Sequence, residues 1–270
     1  MNYVIKMYYE YLRYLIFAKK PHKLEPGFLK EFYTNCIYKK KEYEEMQKIE
    51  TVRQNLLTSP DSIKVTDYGK GSKKQPVKDD NYPKLYSRRV KDIAKYSLKT
   101  ERECILFANM VEFMRPERIL ELGTSFGITT SYMAMAQYTP AVVTVEGCPN
   151  TALIAKSTFK TLGFENIELI IGSFDDIIPS QLSTPDKFNM AIIDGNHAYK
   201  PVVEYFNALA QQMPDNGVIV IDDIRWSLEM IRAWEEIKKH PEVILSIDLF
   251  SIGIVFFNKA LPKEDVMLWF

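Results

Sequence analysis

From residue 116 onward, short apolar runs alternate with segments of helical periodicity. Five of these runs have the length and composition of buried parallel strands, and they span residues 119–122, 142–145, 167–171, 190–193 and 218–221. Helical segments separate them, at about 126–137, 149–162, 199–212 and 226–239. This alternation predicts an α/β fold with a doubly wound sheet and right-handed crossovers.

Two more apolar runs follow near the end of the chain, at 243–248 and 252–258. Only a few residues join them, and a connection this short requires an antiparallel pair. The sequence therefore predicts a seven-stranded, mostly parallel sheet whose last strand is reversed.

Residues 1–99 show a different pattern, which predicts a helical N-terminal lobe or lid. A stripe at helical spacing predicts a helix over 3–20 with one buried face; the stripe consists of Val4, Tyr8, Tyr11, Leu12 and Leu15. Further helices are expected at 28–50, 51–57 and 84–115. Residues 61–83 are polar and contain Gly69, Gly71, Pro76 and Pro83, so they predict a long loop. The second domain is expected to cover residues 100–270.

Composition narrows the class of protein. Nearly half of the 270 residues are hydrophobic, 26% are charged and the formal net charge is zero, although the first 100 residues are basic and the rest acidic. A neutral total argues against nucleic acid as the main partner. No apolar run reaches the about 20 residues of a membrane span. Three scattered cysteines, Cys36, Cys104 and Cys148, are typical of a reduced, cytoplasmic protein.

The candidate chemistry lies where the predicted strands end. In an open α/β sheet, ligands bind at the carboxyl ends of the strands, and each of these ends is acidic or glycine-rich. The five loops are Glu121-Leu122-Gly123-Thr124-Ser125, Glu146-Gly147, Gly172-Ser173-Phe174-Asp175, Asp194-Gly195-Asn196-His197 and Asp222-Asp223. Five such loops on one edge predict a ligand-binding site.

The glycine loop after residue 122 narrows the choice of ligand. Gly123 permits a tight turn, and Gly127 permits close approach of a helix and a ligand. A dinucleotide fingerprint starting at Gly123 would need glycine at positions 125 and 128, which are Ser125 and Ile128. The loop therefore favours a nucleoside ligand without a pyrophosphate.

With these motifs, residues 100–258 resemble the class I S-adenosylmethionine-dependent methyltransferases, and in particular the catechol-type, metal-dependent O-methyltransferases. The loops after residues 193 and 221 also resemble sugar- and antibiotic-modifying relatives. The resemblance implies S-adenosylmethionine as cofactor, with Glu146 accepting both ribose hydroxyls and Phe174 stacking on the adenine. The implied cofactor-binding residues are Glu121, Gly123, Thr124, Ser125, Gly127, Thr129, Glu146, Gly147, Gly172, Ser173, Phe174 and Asp194.

A divalent metal is the second predicted group. Asp194, Asp222 and Asp223 follow neighbouring strands, and carboxylate oxygens suit Mg²⁺ or Mn²⁺. The metal would activate a substrate hydroxyl, and His197 would take its proton; Asp194 and His197 are the predicted catalytic residues. His197 stands where the catechol-type enzymes have lysine, and Asp223 where they have asparagine, which argues against a catechol. The alternative is structural: Asp222 caps a loop and His197 caps a helix.

The sequence leaves two functions open. The first is methyl transfer to a hydroxyl oxygen of a small molecule. The second is an inactive S-adenosylmethionine-binding module that regulates or binds a partner through its aromatic, basic N-terminal lobe. A nicotinamide-dependent oxidoreductase is disfavoured by Ser125 and Ile128. A homodimer is left open, and no membrane partner is expected.

Overall fold

The structure is a computed structural model that describes residues 3–39, 44–68, 71–72, 75–76 and 84–270. The helices are α1 (Tyr3–Phe17), α2 (Phe28–Phe32), α3 (Glu44–Thr58), α4 (Val90–Ser97), α5 (Glu101–Met114), α6 (Ile128–Ala134), α7 (Pro149–Leu162), α8 (Phe174–Leu182), α9 (Tyr199–Ala210) and α10 (Leu228–Ile237), with a 3₁₀ turn at Pro21–Lys23 and a π turn at Tyr33–Tyr38. The strands are β1 (Ser62–Asp67), β2 (Gly71–Ser72), β3 (Gln75–Pro76), β4 (Lys84–Arg89), β5 (Arg118–Leu122), β6 (Ala141–Glu146), β7 (Ile167–Ile171), β8 (Met190–Ile193), β9 (Val218–Ile221), β10 (Leu245–Asp248), β11 (Gly253–Phe256) and β12 (Glu264–Met267). None of the described helices has the length and apolar character needed to cross a membrane.

The central sheet confirms the predicted fold class. Its strand order is β12-β10-β11-β9-β8-β5-β6-β7. Strands β5 to β9 run parallel, and β11 pairs antiparallel with both β9 and β10. The described part of the sheet has eight strands rather than seven, because β12 pairs in parallel with β10. The sequence Glu264–Met267 has no apolar run, so its edge strand was not predicted.

Hydrophobic residues bury the sheet on both faces. Ile119 packs on one side with the helices of the first half of the chain, while its neighbour Leu120 packs on the other with α8, α9 and α10. The alternation follows from the two-residue period of a strand. Trp234 of α10 is the largest fully buried side chain of the second face. A sheet buried on both faces presents its ligand site at the strand ends.

Part of the N-terminal lobe is β-structure rather than helix and loop. Strands β1 and β4 pair antiparallel, with Ser62 opposite Arg89 and Asp67 opposite Lys84. The predicted loop at 61–83 is therefore wrong at its start, and the predicted helix at 84–115 begins only at Val90. Gly71 and Pro76 of that loop belong to the short strands β2 and β3, whereas Gly69 and Pro83 lie outside the described residues. Asn150 of α7 donates to the Lys64 carbonyl at 2.8 Å, which fixes β1 against the core domain.

Helix α1 docks by a different face from the one predicted. The stripe expected to be buried is exposed; Val4 retains 69% and Tyr8 66% of their accessible surface. The buried residues are Glu10 and Tyr14. Glu10 Oε2 lies 3.4 Å from the buried Arg225 guanidinium, and burying a cation requires a compensating negative charge. The Glu10–Arg225 ion pair and the buried Tyr14, rather than the apolar stripe, therefore hold the orientation of α1.

Candidate active site

A cavity of about 790 Å³ lies at the carboxyl ends of the parallel strands. The strand-end loops form one wall, and β1, β4 and the segment that joins α4 to α5 form the other. Its volume falls within the range of small-molecule pockets, about 300–1,000 Å³. Residues from 65–68 and 86–99 therefore cover the predicted binding edge of the sheet. The sequence predicts these residues to be part of a helical lobe with a loop.

The glycine loop forms the floor of this cavity. Gly123 has a φ of 115°, and a Cβ on this residue would lie 2.1 Å from the Asp194 carbonyl oxygen. Only glycine therefore fits at this position. Gly127 also has a positive φ, but an added Cβ would meet the Phe159 ring of α7 at 2.4 Å. Gly127 lets two helices pack closely and does not line the cavity.

Glu146 is held at the cavity wall by two backbone hydrogen bonds. The N–H of Ser125 donates to its Oε2 at 2.8 Å, and the N–H of Cys148 donates to its Oε1 at 2.9 Å. Burial raises the pKa of the Glu146 carboxyl to about 7, partly offset by these two donors. Since each carboxylate oxygen accepts more than one hydrogen bond, both oxygens can still accept from a vicinal diol.

Several predicted cofactor residues do not face the cavity. Glu121 is buried inside the fold, where Thr130 and Thr144 donate to its Oε2 at 2.5 and 2.6 Å. Thr124 bonds to the Thr144 hydroxyl and is equally buried, and Thr129 lies beside the Cys104 thiol. Those three and Gly127 are not among the residues that line the cavity, so the geometry does not support their predicted contact with the cofactor. The predicted cofactor residues that do line the cavity are Gly123, Ser125, Glu146, Gly147, Gly172, Ser173, Phe174 and Asp194.

Two aromatic rings border the cavity near Glu146 and Gly195. Phe174 begins α8, and its ring packs so closely on Gly195 that a Cβ there would lie 2.7 Å away. Tyr68, just beyond β1, packs over Gly147 in the same manner, and a Cβ on Gly147 would lie 2.8 Å from the tyrosine ring. Sequence reasoning found Phe174 but missed Tyr68, because Tyr68 stands in a polar stretch that gave no sign of contact with the sheet.

Lys99 is a second residue of the site that sequence reasoning missed. Its Nζ donates to Asp194 Oδ2 at 2.8 Å and also bonds Asp222. The side chain is buried. The two carboxylates raise the Lys99 pKa in spite of its burial. Burial raises the pKa of Asp194; although burial acts the same way on Asp222, the Lys99 charge brings the Asp222 pKa below its usual value.

This arrangement does not fit the predicted metal site. An ammonium lies between Asp194 and Asp222, so a divalent ion on these oxygens would be held against a positive charge at close range. Among the described residues, no group of three or more His, Cys, Asp and Glu side chains has the geometry to hold a metal. Asp223 does line the cavity, but its Oδ2 lies 3.8 Å from His197 Nε2. The metal prediction is therefore not confirmed.

His197 lies at the cavity wall in a strained loop. Its φ is 44°, and Ser125, Asn196 and Asp223 also have φ values between 50° and 66°. Strained backbone of this kind tends to collect at functional sites. Burial lowers the pKa of His197, and within the described part of the chain its Nδ1 has no hydrogen-bond partner.

The structural alternative for the two acidic loops is not supported. Ala198, not His197, is the N-cap residue of α9, and the Tyr199 N–H that begins this helix donates to Glu229 Oε2 at 3.1 Å. The side chain of Asp222 bonds Lys99 from another part of the chain. Neither side chain is therefore positioned by capping a local helix or loop.

Comparison with known proteins agrees with this geometry. Residues 120–224 match the family model described as a methyltransferase domain. A methyltransferase from Podospora anserina, bound to S-adenosylhomocysteine, is similar with a TM-score of 0.58 and 14% identity, over 87% of this chain and 98% of that one. An O-methyltransferase from Bacillus cereus, in complex with the same ligand, gives 0.53 and 16% over 84% and 96%. An O-methyltransferase of tomaymycin synthesis from Streptomyces achromogenes gives 0.54 and 17% over 84% and 94%. No curated protein matches the sequence.

Residues 120–224 therefore match a methyltransferase domain, and the chain has the fold of the solved methyltransferases to which it is similar. The predicted methyltransferase fold is confirmed by these comparisons, and the family match over residues 120–224 supports the predicted enzymatic character. The residues that contact the cofactor, the requirement for a metal, the acceptor and the cytoplasmic location stay predictions.

Proposed function

We propose that this chain transfers the methyl group of S-adenosylmethionine to a hydroxyl oxygen of a small molecule bound in the 790 Å³ cavity. The observation that supports this most strongly is Glu146. It is a strand-end carboxylate that lines the cavity, and each of its oxygens is oriented by one backbone N–H. That is the arrangement a ribose diol needs, because charge-assisted hydrogen bonds are short and directional.

The rest of the cofactor would follow from this anchor. Gly172, Ser173 and Phe174 lie at the neighbouring strand end and would border the adenine. Gly123 lets the glycine loop pack directly on the Asp194 backbone, so the methionine part would lie over this loop, beside the Asp194 side chain. The bound cofactor supplies an electrophilic methyl group on a positively charged sulfur.

The other half of the cavity would hold the acceptor. Tyr86, Tyr96 and Trp226 line it, and aromatic rings of this kind suit a small organic molecule. His197 lies on the same side and would take the hydroxyl proton, since its lowered pKa keeps the imidazole neutral at pH 7. Asp223, at 3.8 Å from Nε2, would stabilise the imidazolium that forms.

An inactive cofactor-binding module is the second candidate function. The exposed apolar face of α1 favours it, because Val4, Ile5, Tyr8 and Ile16 each expose more than half of their surface. The two functions differ in one readout. A module binds S-adenosylmethionine without consuming it, whereas an enzyme releases S-adenosylhomocysteine when it meets its acceptor.

Calorimetry with S-adenosylhomocysteine tests the proposal. We expect binding, and we expect Glu146→Gln to weaken it by roughly 1.5–3 kcal/mol, the usual loss when hydrogen bonds to a charged group are removed. Glu165→Gln, which neutralises an exposed carboxylate, is the matched control and should bind as the wild type does. Tight binding of NADH, with none of S-adenosylhomocysteine, would overturn the proposal.

A further inference from the structure

The carboxylates at the ends of β8 and β9 already hold a cation that belongs to the protein itself. The Lys99 ammonium lies 2.8 Å from Asp194 Oδ2 and is bonded to Asp222. All three side chains line the cavity. Lys99 comes from the segment between α4 and α5, which is far from both acids in sequence, so the fold brings the three groups together.

We propose that Lys99 takes the place of the divalent metal, and that methyl transfer in this chain needs no metal ion. This inference rests on the proposed function and concerns the same site. The ammonium neutralises the two carboxylates and keeps them at the edge of the cavity. An ammonium carries three N–H donors; the two carboxylates account for two, and the third would bind the acceptor oxygen.

The position of Lys99 is fixed by its neighbours in the fold. The guanidinium of Arg53, which is itself buried, donates to the Lys99 carbonyl oxygen. The next residue, Thr100, is the N-cap of α5, and it forms a reciprocal capping box with Glu103. These contacts hold the Lys99 backbone, and the side chain itself is buried, so the ammonium is held next to the two carboxylates. A metal ion would have to displace it against that restraint.

The chemistry balances without a metal. The acceptor O–H bond breaks and its proton passes to His197, while an oxygen lone pair forms the new bond to the methyl carbon. The sulfur–methyl bond breaks and its electrons stay on sulfur, which becomes a neutral thioether. The developing charge on the acceptor oxygen lies beside the ammonium, where an N–H⁺ donor stabilises it.

The mode of acceptor binding follows from the same geometry. A divalent ion can chelate two adjacent oxygens, whereas a single ammonium N–H contacts one oxygen. The site therefore suits an acceptor with a single reacting hydroxyl and does not require a vicinal diol. This agrees with the departures from the catechol-type pattern at His197 and Asp223.

Titration with Mn²⁺, followed by electron paramagnetic resonance, tests the inference. We expect the wild-type protein to show no binding tighter than about 1 mM, the weak end of carboxylate sites for divalent ions. Lys99→Ala removes the ammonium and leaves Asp194 and Asp222 facing the cavity, so it should acquire a Mn²⁺ site at least about tenfold tighter. Adding Asp222→Asn to that variant should abolish the new site. Lys95→Ala, at an exposed lysine of α4, is the matched control.

Each outcome decides the question. Wild-type binding of Mn²⁺ in the micromolar range would overturn the inference, and so would a folded Lys99→Ala protein that binds no Mn²⁺. If circular dichroism shows that Lys99→Ala does not fold, the wild-type titration decides alone. Binding of S-adenosylhomocysteine, measured on the same wild-type sample, separates the two proposals. If that ligand binds and Mn²⁺ also binds tightly, only the inference about Lys99 fails.

Discussion

Glu121 offers a test of the structure that does not depend on the substrate. Its carboxyl is 1% exposed and accepts hydrogen bonds from the hydroxyls of Thr130 and Thr144. Burial raises its pKa from the ordinary 4.5 to about 7, although the two hydroxyl donors and the Lys99 charge pull it down. At pH 8 the folded protein therefore contains an ionised, buried carboxylate, whereas at pH 5 the same carboxyl is neutral in the folded protein.

The sign and the size of the effect follow from proton linkage. Between pH 4.5 and 7 the folded protein holds a proton on Glu121 that the unfolded chain has lost. The contribution of this group to the free energy of unfolding is therefore complete below pH 4.5 and is lost as the pH rises through 7. At about 1.4 kcal/mol for each pH unit, the loss is about 3 kcal/mol.

The perturbation is Glu121→Gln, which keeps the shape and an acceptor oxygen for the two threonines but cannot ionise. Urea unfolding of both proteins between pH 5 and 8.5 gives the difference in free energy at each pH. We expect this difference to move in favour of the variant by about 3 kcal/mol across the range. Subtracting the two curves cancels the other titrating groups that both proteins share.

Glu168→Gln is the control, because it neutralises an exposed carboxylate on β7 of the same sheet. A wild-type-minus-variant difference for Glu121→Gln that stays constant from pH 5 to 8.5 would refute the reasoning. It would mean that the Glu121 carboxyl is not buried as the structure places it.

Three further predictions concern other parts of the structure. Gly123→Ala should abolish S-adenosylhomocysteine binding in calorimetry, because its Cβ would overlap the Asp194 carbonyl; binding that survives would contradict the loop geometry. Arg225→Met should lower the free energy of unfolding by about 3–5 kcal/mol in urea, since it leaves the buried Asp248 without its cation, and an unchanged midpoint would argue against this ion pair. His197→Gln should lower turnover by roughly 10²–10⁴-fold. In the wild type, activity should decline only below pH 6.5, because burial lowers the imidazole pKa and keeps the base neutral above that pH. If the variant shows the same decline at acid pH, the base lies elsewhere.

The sequence predicted the parts of the fold that rest on apolar periodicity. Strands β8 and β9 begin and end where the apolar runs do, because strands buried on both faces leave no room for polar residues. The edge strand β7 also has the predicted bounds, although its Glu168 is exposed. Strands β1, β4 and β12 were missed for the complementary reason. Their residues are largely polar or charged, as in Lys84–Arg89, and such strands owe their pairing to neighbours that a local pattern does not show.

The candidate site was predicted to a similar extent. The strand-end positions of Glu146, Asp194 and His197 followed from the topology of the sheet. The direction of a side chain did not, so Glu121 was assigned to the ligand although it points into the core. The role of Lys99 could not be predicted from the sequence. The neighbouring capping box of Thr100 and Glu103 predicts where a helix begins, but it does not indicate which carboxylates the preceding lysine contacts.

The central claim is that the cavity between the paired strands β1 and β4 and the sheet edge binds S-adenosylmethionine with its ribose on Glu146. A crystal structure of the protein with S-adenosylhomocysteine tests this directly. The account predicts the ribose hydroxyls on Glu146, the adenine beside Phe174, and the sulfur on the side of the cavity that holds Lys99 and His197. A ligand bound outside this cavity, or one whose ribose makes no contact with Glu146, would contradict it.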